Sequence, residues 1–168
     1  LKKFFLLLCC FQVSAAVDDY KFRFIQPSYN NYGSVGLIQM PSARMNQAGR
    51  FTVNYSNFDP YQRVSVNASP FDWLEAIFQY TDISTRDYSS FFEFSRNQTL
   101  KDKGFDVKLR LRKEGNIMPQ ISAGIRDLGG TGQFSSEYLV FSKGYKNIDF
   151  SAGIGWGYLS DNQIANPL

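Results

Sequence analysis

Histidine is absent from this 168-residue chain, and cysteine occurs only twice, side by side at Cys9 and Cys10 near the start. Without histidine the chain lacks the usual general base at neutral pH and the commonest transition-metal ligand. With both cysteines in the first apolar run, the rest of the chain has no disulfide framework and no thiolate metal site. Long hydrophobic runs are missing too: mean hydropathy is −0.29, and no stretch approaches the ~20 apolar residues of a membrane-spanning helix. Charge of one sign is scarce. Lys2 and Lys3 account for two of the 18 basic residues, so the rest nearly balances the 15 acidic ones, which gives no electrostatic case for a nucleic-acid partner. These absences leave no support for an enzyme: no catalytic residue, metal or cofactor is expected.

What is present is aromatic and β-forming: 17% of residues are Phe, Trp or Tyr, with 16 Phe and 10 Tyr. The start is an address. Lys2 and Lys3 precede an apolar run at positions 4–11, and Ser14, Ala15 and Ala16 then offer the small side chains that a signal peptidase accepts, so cleavage of a signal peptide, residues 1–16, is expected. The alternative is a lipid anchor at Cys9 or Cys10. Leu8 precedes Cys9 and Cys9 precedes Cys10, where a lipobox wants Gly, Ala or Ser, so the Ser14–Ala16 site is the better formed of the two.

After an extension at 17–49, period two recurs. Phe51, Val53 and Tyr55 alternate with Thr52, Asn54 and Ser56 before the turn at Asp59-Pro60. Val64, Val66 and Ala68 stand opposite Arg63, Ser65 and Asn67, and Leu74, Ala76, Phe78 and Tyr80 opposite Glu75, Gln79 and Thr81, with Ile77 on that second face. The clearest segment is 105–112, where Phe105, Val107, Leu109 and Leu111 alternate with Asp106, Lys108, Arg110 and Arg112. A helix would scatter these side chains, but a strand sends all four apolar groups one way and all four charges the other. Strands at 120–126, 137–143 and 149–157 complete an antiparallel meander with turns at 114–116 and 144–147.

An alternating meander fits two architectures. In a soluble sandwich or lipocalin-like barrel the apolar faces point inward; in an outer-membrane barrel they meet lipid while the charged faces line a wet lumen. The export signal, the ~9–11-residue segments and the aromatics near segment ends at Tyr80, Phe105, Tyr138, Trp156 and Tyr158 favour the membrane. The expected fold class is therefore all-β, an antiparallel meander over 50–168 forming part of an outer-membrane β-barrel. Positions 166–168 bring no closing strand, so the wall is expected to be incomplete over this span.

Longer strings sharpen the expectation. Gly36-Leu37-Ile38-Gln39-Met40-Pro41-Ser42-Ala43-Arg44-Met45 resembles the opening motif of the YjbH family of exopolysaccharide-associated proteins. Trp73-Leu74-Glu75-Ala76, Lys101-Asp102-Lys103-Gly104-Phe105-Asp106-Val107-Lys108, Gly124-Ile125-Arg126-Asp127-Leu128-Gly129-Gly130-Thr131-Gly132 and Gly155-Trp156-Gly157-Tyr158 agree with it in order. The resemblance runs from about position 33 to 158. It implies an outer-membrane β-barrel, often described as a lipoprotein, several times longer than this chain. It also implies exopolysaccharide or capsule secretion, with periplasmic proteins of the same system and bacterial outer-membrane lipids as partners.

The candidate contacts for a hydrated glycan are Glu75, Gln79, Asp106, Lys108, Arg110, Arg112 and Arg126, facing a polar lumen where Arg can fork onto carboxylates. The bland alternative is that these charges pair across neighbouring strands. Gly129-Gly130-Thr131-Gly132 lacks the Lys and following helix of a phosphate loop and reads as an inter-strand connection. Met40-Pro41-Ser42-Ala43-Arg44 is read as a plug at one barrel mouth or as a surface loop. The competing whole-protein reading is a lipid-anchored periplasmic β-sandwich acting as a binding or adhesin-like module.

Overall fold

The computed structural model describes residues 27–160, so the expected signal peptide, Cys9 and Cys10 lie outside the described residues. Two short strands, β1 (Gly36–Leu37) and β2 (Met40–Pro41), pair as a miniature hairpin. Seven strands follow: β3 (Arg50–Phe58), β4 (Tyr61–Phe71), β5 (Leu74–Asp87), β6 (Thr99–Arg112), β7 (Gln120–Arg126), β8 (Ser136–Tyr145) and β9 (Ile148–Gly155). They form one sheet in sequence order, every neighbour antiparallel, with β3 and β9 as its edges among the described residues. A one-turn helix α1 (Phe92–Ser95) interrupts the β5–β6 loop, and a 3-10 turn over Gly157–Leu159 follows β9.

The alternation expected for these segments is present, and its polarity is inverted relative to a soluble sheet. On β5 the buried positions are Glu75, Ile77, Gln79, Thr81 and Ile83, while Ala76, Phe78 and Tyr80 are exposed. On β6 Asp102, Gly104, Asp106 and Lys108 are buried, while Phe105 and Leu109 are exposed. Among all buried side chains polar and charged groups outnumber apolar ones, whereas Phe51, Val53, Tyr55, Val64, Phe150 and Ile154 stand in the open. An antiparallel sheet of a soluble protein shows the reverse arrangement.

Curvature follows from where residues 28–46 lie. Asn54 Nδ2 and Ser56 Oγ on β3 donate to the carbonyls of Asn30 and Asn31. Asn67 Nδ2 on β4 donates to Gly33 O, and Ser142 Oγ on β8 accepts from Ala43 N at 2.9 Å. Asp149 on β9 takes two bonds from Arg44. One short segment reaches both edges and strands between them only because the sheet curls around it, polar face inward. Gly33 permits the closest approach, since its φ is +87° and a Cβ there would lie 2.1 Å from Ser65 Oγ.

The strict dyad repeat of β6 ends at a bulge. Arg110 pairs with Ser122, but the next partner of β7, Ile121, pairs with Arg112, which leaves Leu111 as an extra residue. A bulge of this kind steps the following side chain onto the other face. Two small apolar clusters tie the segment to the wall: Tyr32 with Ile83 and Phe134, and Ala43 with Tyr138 and Val140. Tyr138 lies across Gly124, where a Cβ would come within 2.3 Å of its ring.

Replacing Tyr138 by Ala removes a large buried ring from the second cluster, so a loss of about 3–5 kcal/mol is expected. Chemical denaturation followed by circular dichroism tests this; a change below about 1 kcal/mol would show the cluster to be incidental.

Candidate functional site

The concave face is built from alternate residues of β4 to β8, which places their polar side chains in parallel rows. Glu75 and Lys108 are directly opposed across β5 and β6, fully buried, with Nζ to Oε2 at 3.3 Å. Two buried charges survive only if hydrogen bonds satisfy what their mutual attraction leaves over. The 28–46 segment supplies those bonds from its backbone: Val35 N and Asn46 N donate to the two Glu75 oxygens at 3.3 and 2.9 Å, and Lys108 Nζ donates to Val35 O at 3.0 Å.

The same mode of contact repeats along the segment. Arg126 Nη2 donates to Gln39 O at 3.0 Å, while Gln120 Nε2 and Ser122 Oγ both donate to Ala43 O, at 2.5 and 2.7 Å. Wall side chains thus grip the main chain of the segment. Side chains of the segment reach the wall as well: Asn46 Nδ2 donates to Asn67 Oδ1 at 3.4 Å, and Arg44 bonds Glu114 at 2.5 Å in the β6–β7 loop and Asp149 at 2.7 Å on β9.

Deeper in the curl lies a cationic and aromatic stack. The Arg63 guanidinium sits 4.0 Å from the Tyr32 ring centroid and that of Arg126 4.1 Å from the same ring, and Arg63 also lies 4.9 Å from the Phe134 ring. Cation–π attraction is strengthened where water is excluded. Gln79 Nε2 donates to Asp106 Oδ1 at 2.6 Å, which also accepts from Asp127 N. Arg63 Nη2, Arg126 Nε and Nη1, Gln79 Oε1 and Asp106 Oδ2 are buried without a hydrogen-bond partner among the described residues.

Of the seven residues singled out from the sequence, Glu75, Gln79, Asp106, Lys108 and Arg126 are all buried on the concave face. Arg110 is half-buried nearer one end, bonded to Asp72 at 2.6 Å. Arg112 does not join them: it lies beyond the bulge, exposed and paired with Ile121. Glu75 and Lys108 do pair across neighbouring strands, but most of their remaining bonds go to the 28–46 segment, with one more from Asn67 Nδ2 to Glu75 Oε2. Sequence reasoning missed Arg63, Asn67, Ser122 and Arg44 as contact residues. Arg63 and Asn67 carried a signal, since they alternate with Val64, Val66 and Ala68 in the same polar row.

Comparison with known proteins adds a family. The YjbH family model, described as exopolysaccharide biosynthesis protein YbjH, matches residues 28–168. The lipoprotein YjbH of Escherichia coli (strain K12) is 49% identical over 145 residues, covering 86% of this chain and 21% of that protein. The chain therefore spans about a fifth of that relative's length. No solved structure matches.

Two predictions follow from the buried contacts. Glu75→Gln or Lys108→Met alone leaves one uncompensated buried charge and is expected to cost about 3–5 kcal/mol, with fast amide exchange at Val35 and Asn46. The double replacement Glu75→Gln with Lys108→Met should recover part of that loss; a double variant as damaged as the sum of the singles would refute the pairing. The Arg44 clamp depends on pH. Burial acts to raise the Glu114 carboxyl, but bonds from Arg44 and the Gly144 amide outweigh it and hold the group below its ordinary 4.5. A depressed carboxylate contributes stability that is fully present above the ordinary value and is lost as pH falls through the folded one. Limited proteolysis is expected to leave 28–46 intact at neutral pH and to cut it as pH falls below the ordinary carboxylate range, an acid sensitivity that Glu114→Gln should blunt.

Proposed function

The chain belongs to the YjbH family of exopolysaccharide biosynthesis proteins, and on that premise we propose that it forms part of the wall of a bacterial outer-membrane β-barrel. In this reading the barrel serves exopolysaccharide or capsule export without catalysis, alongside periplasmic proteins of the same system. One observation carries the reading: the sheet buries its charged face and exposes its apolar one. Each large apolar side chain left in water forgoes roughly 1.5–3 kcal/mol, and a continuous patch of them marks a surface made for another phase. Hydrocarbon is that phase when the opposite face is polar and the backbone is satisfied by ladder bonds.

Strand length and loop asymmetry support it. β4, β5, β6 and β8 have 11, 14, 14 and 10 residues, enough to cross a bilayer at a tilt; β7, with 7 residues, is the short one. One end of the sheet carries the two-residue turns 72–73 and 146–147 with the connection 113–119, and the other carries the turn 59–60 with the longer connections 88–98 and 127–135. Outer-membrane barrels have short periplasmic turns and longer outer loops, so the second end would face outward. With 28–46 seated, the concave face is closed to a polymer, and passage requires that segment to move.

The second reading, a lipid-anchored periplasmic β-sandwich acting as a binding or adhesin-like module, draws on the lipoprotein name of the relative. It needs a further layer over the apolar face, and no such layer occurs among the described residues. The polar concave contacts are assigned the role of holding the segment when shut and meeting hydrated glycan when open.

Fluorophores placed at position 109, then at 110, of the full-length protein in lipid vesicles separate the two readings. Quenching at 109 by a lipid-borne quencher and at 110 by an aqueous one is the expected pattern. A detergent-free soluble protein with 109 shielded from both quenchers would overturn the barrel.

A further inference from the structure

At the long-loop end the curl opens into a cleft of ≈ 390 Å³ whose walls come from four separate parts of the chain. Tyr61 opens β4, Thr85 and Arg86 lie near the end of β5, Gln133 and Phe134 end the β7–β8 connection, and Tyr158 sits in the 3-10 turn. Phe134 is the hub: its ring meets Tyr61 edge-on at 5.5 Å and Tyr158 edge-on at 5.2 Å between centroids. These ring contacts fix the aromatic wall, which Arg63 backs against Phe134, and Tyr158 keeps 44% of its surface exposed.

A fixed aromatic wall with hydroxyl, amide and guanidinium groups around it has a specific chemical complement. The faces of a pyranose ring present C–H groups that pack on an aromatic ring, while its equatorial hydroxyls point outward to polar partners. An apolar peptide or lipid chain would leave the polar rim unsatisfied, and a bare inorganic anion would not use the rings. Exposed Arg86 adds a planar cation that can take a carboxylate in two parallel bonds.

We propose that this cleft is a saccharide-binding subsite that takes an acidic sugar residue, with Tyr158 and Tyr61 as the stacking wall and Arg86 as the carboxylate partner. The assignment rests on the export reading above for the source of the glycan, but its test does not. Position matters as well: the cleft lies at the end of the long connections 88–98 and 127–135, next to the Tyr32–Arg63 stack, so a polymer occupying it would stand at the mouth of the polar lumen.

The experiment uses the full-length protein in detergent micelles, titrated with oligogalacturonate and with a neutral cello-oligosaccharide of equal length, read by calorimetry. Oligogalacturonate is expected to bind more tightly than the neutral oligomer. Tyr158→Ala should weaken both by about tenfold or more, whereas Arg86→Gln should remove the preference for the acidic oligomer and leave neutral binding unchanged. Lys146→Gln, at the opposite end, controls for general charge attraction and should change nothing. The proposal is overturned if oligogalacturonate fails to bind, if Tyr158→Ala binds it as tightly as the parent, or if Lys146→Gln and Arg86→Gln have equal effects. Tyr158→Phe, which keeps the ring, guards against misfolding and should retain most of the affinity. Failure here with lipid quenching intact at position 109 would remove the subsite alone; loss of the lipid contact would remove the barrel and leave the binding result standing.

Discussion

Glu75 and Lys108 face each other on adjacent strands with no access to solvent, and an ion pair in that position sets conditions on everything around it. Desolvating each charge costs several kcal/mol, and mutual attraction recovers that only when the remaining lone pairs and protons are bonded. The strand backbones cannot provide most of these bonds, because their groups are used in the ladder, although Asn67 Nδ2 on β4 adds one to Glu75 Oε2 at 3.4 Å. Val35 and Asn46 provide them. The 28–46 segment is therefore part of the electrostatics of the wall and not a tail laid over it.

From that constraint the rest of the architecture follows in order. A buried charged row on β5 and β6 forces the alternate positions outward, and those positions are Phe78, Tyr80, Phe105 and Leu109. Apolar residues then cover the convex face from β3 to β9, where no other element lies against them among the described residues. The two small apolar clusters inside the curl fix the segment's depth without providing a core of ordinary size. A fold stabilised this way depends on its surroundings more than a soluble sheet does, since the hydrophobic contribution is realised only when the outer face leaves water.

The strands were legible in the sequence because their signal is local. Period two at 50–57 and 105–112 is a property of neighbouring side chains, and the strand read over 50–57 is observed as β3, Arg50–Phe58. The ends of β5 and β6 were less visible: Asp82 to Asp87 and Thr99 to Gly104 carry too few apolar residues for alternation to show, yet Asp82 and Ile83 pair with Lys101 and Leu100, and after a shift of register Asp87 pairs with Thr99. The bulge at Leu111 was invisible, because a bulge is a property of two strands and the repeat of one strand continues through it. The contact residues of the concave face were half legible. Glu75, Lys108 and Arg126 stood out by charge, whereas Ser122 and Asn67 act through position alone, and Arg44 acts on partners 70 and 105 residues away.

Under the export reading, the way the wall holds the segment bears on how the concave face could open to a polymer. Asn67, Lys108, Gln120, Ser122 and Arg126 all donate to main-chain carbonyls, groups that water or a hydroxyl-rich polymer can replace. Each such exchange changes the free energy by only about 0.5–1.5 kcal/mol. The exacting position is the ion pair, since an occupant that solvates Lys108 but not Glu75 would leave one charge stranded at a cost of about 3–5 kcal/mol. A purely anionic chain would meet repulsion from Glu75 there, and a hydrated one would not. Under the export reading, discrimination by charge therefore belongs at the mouth, where Arg86 is exposed, and the interior rewards an occupant that brings water with it.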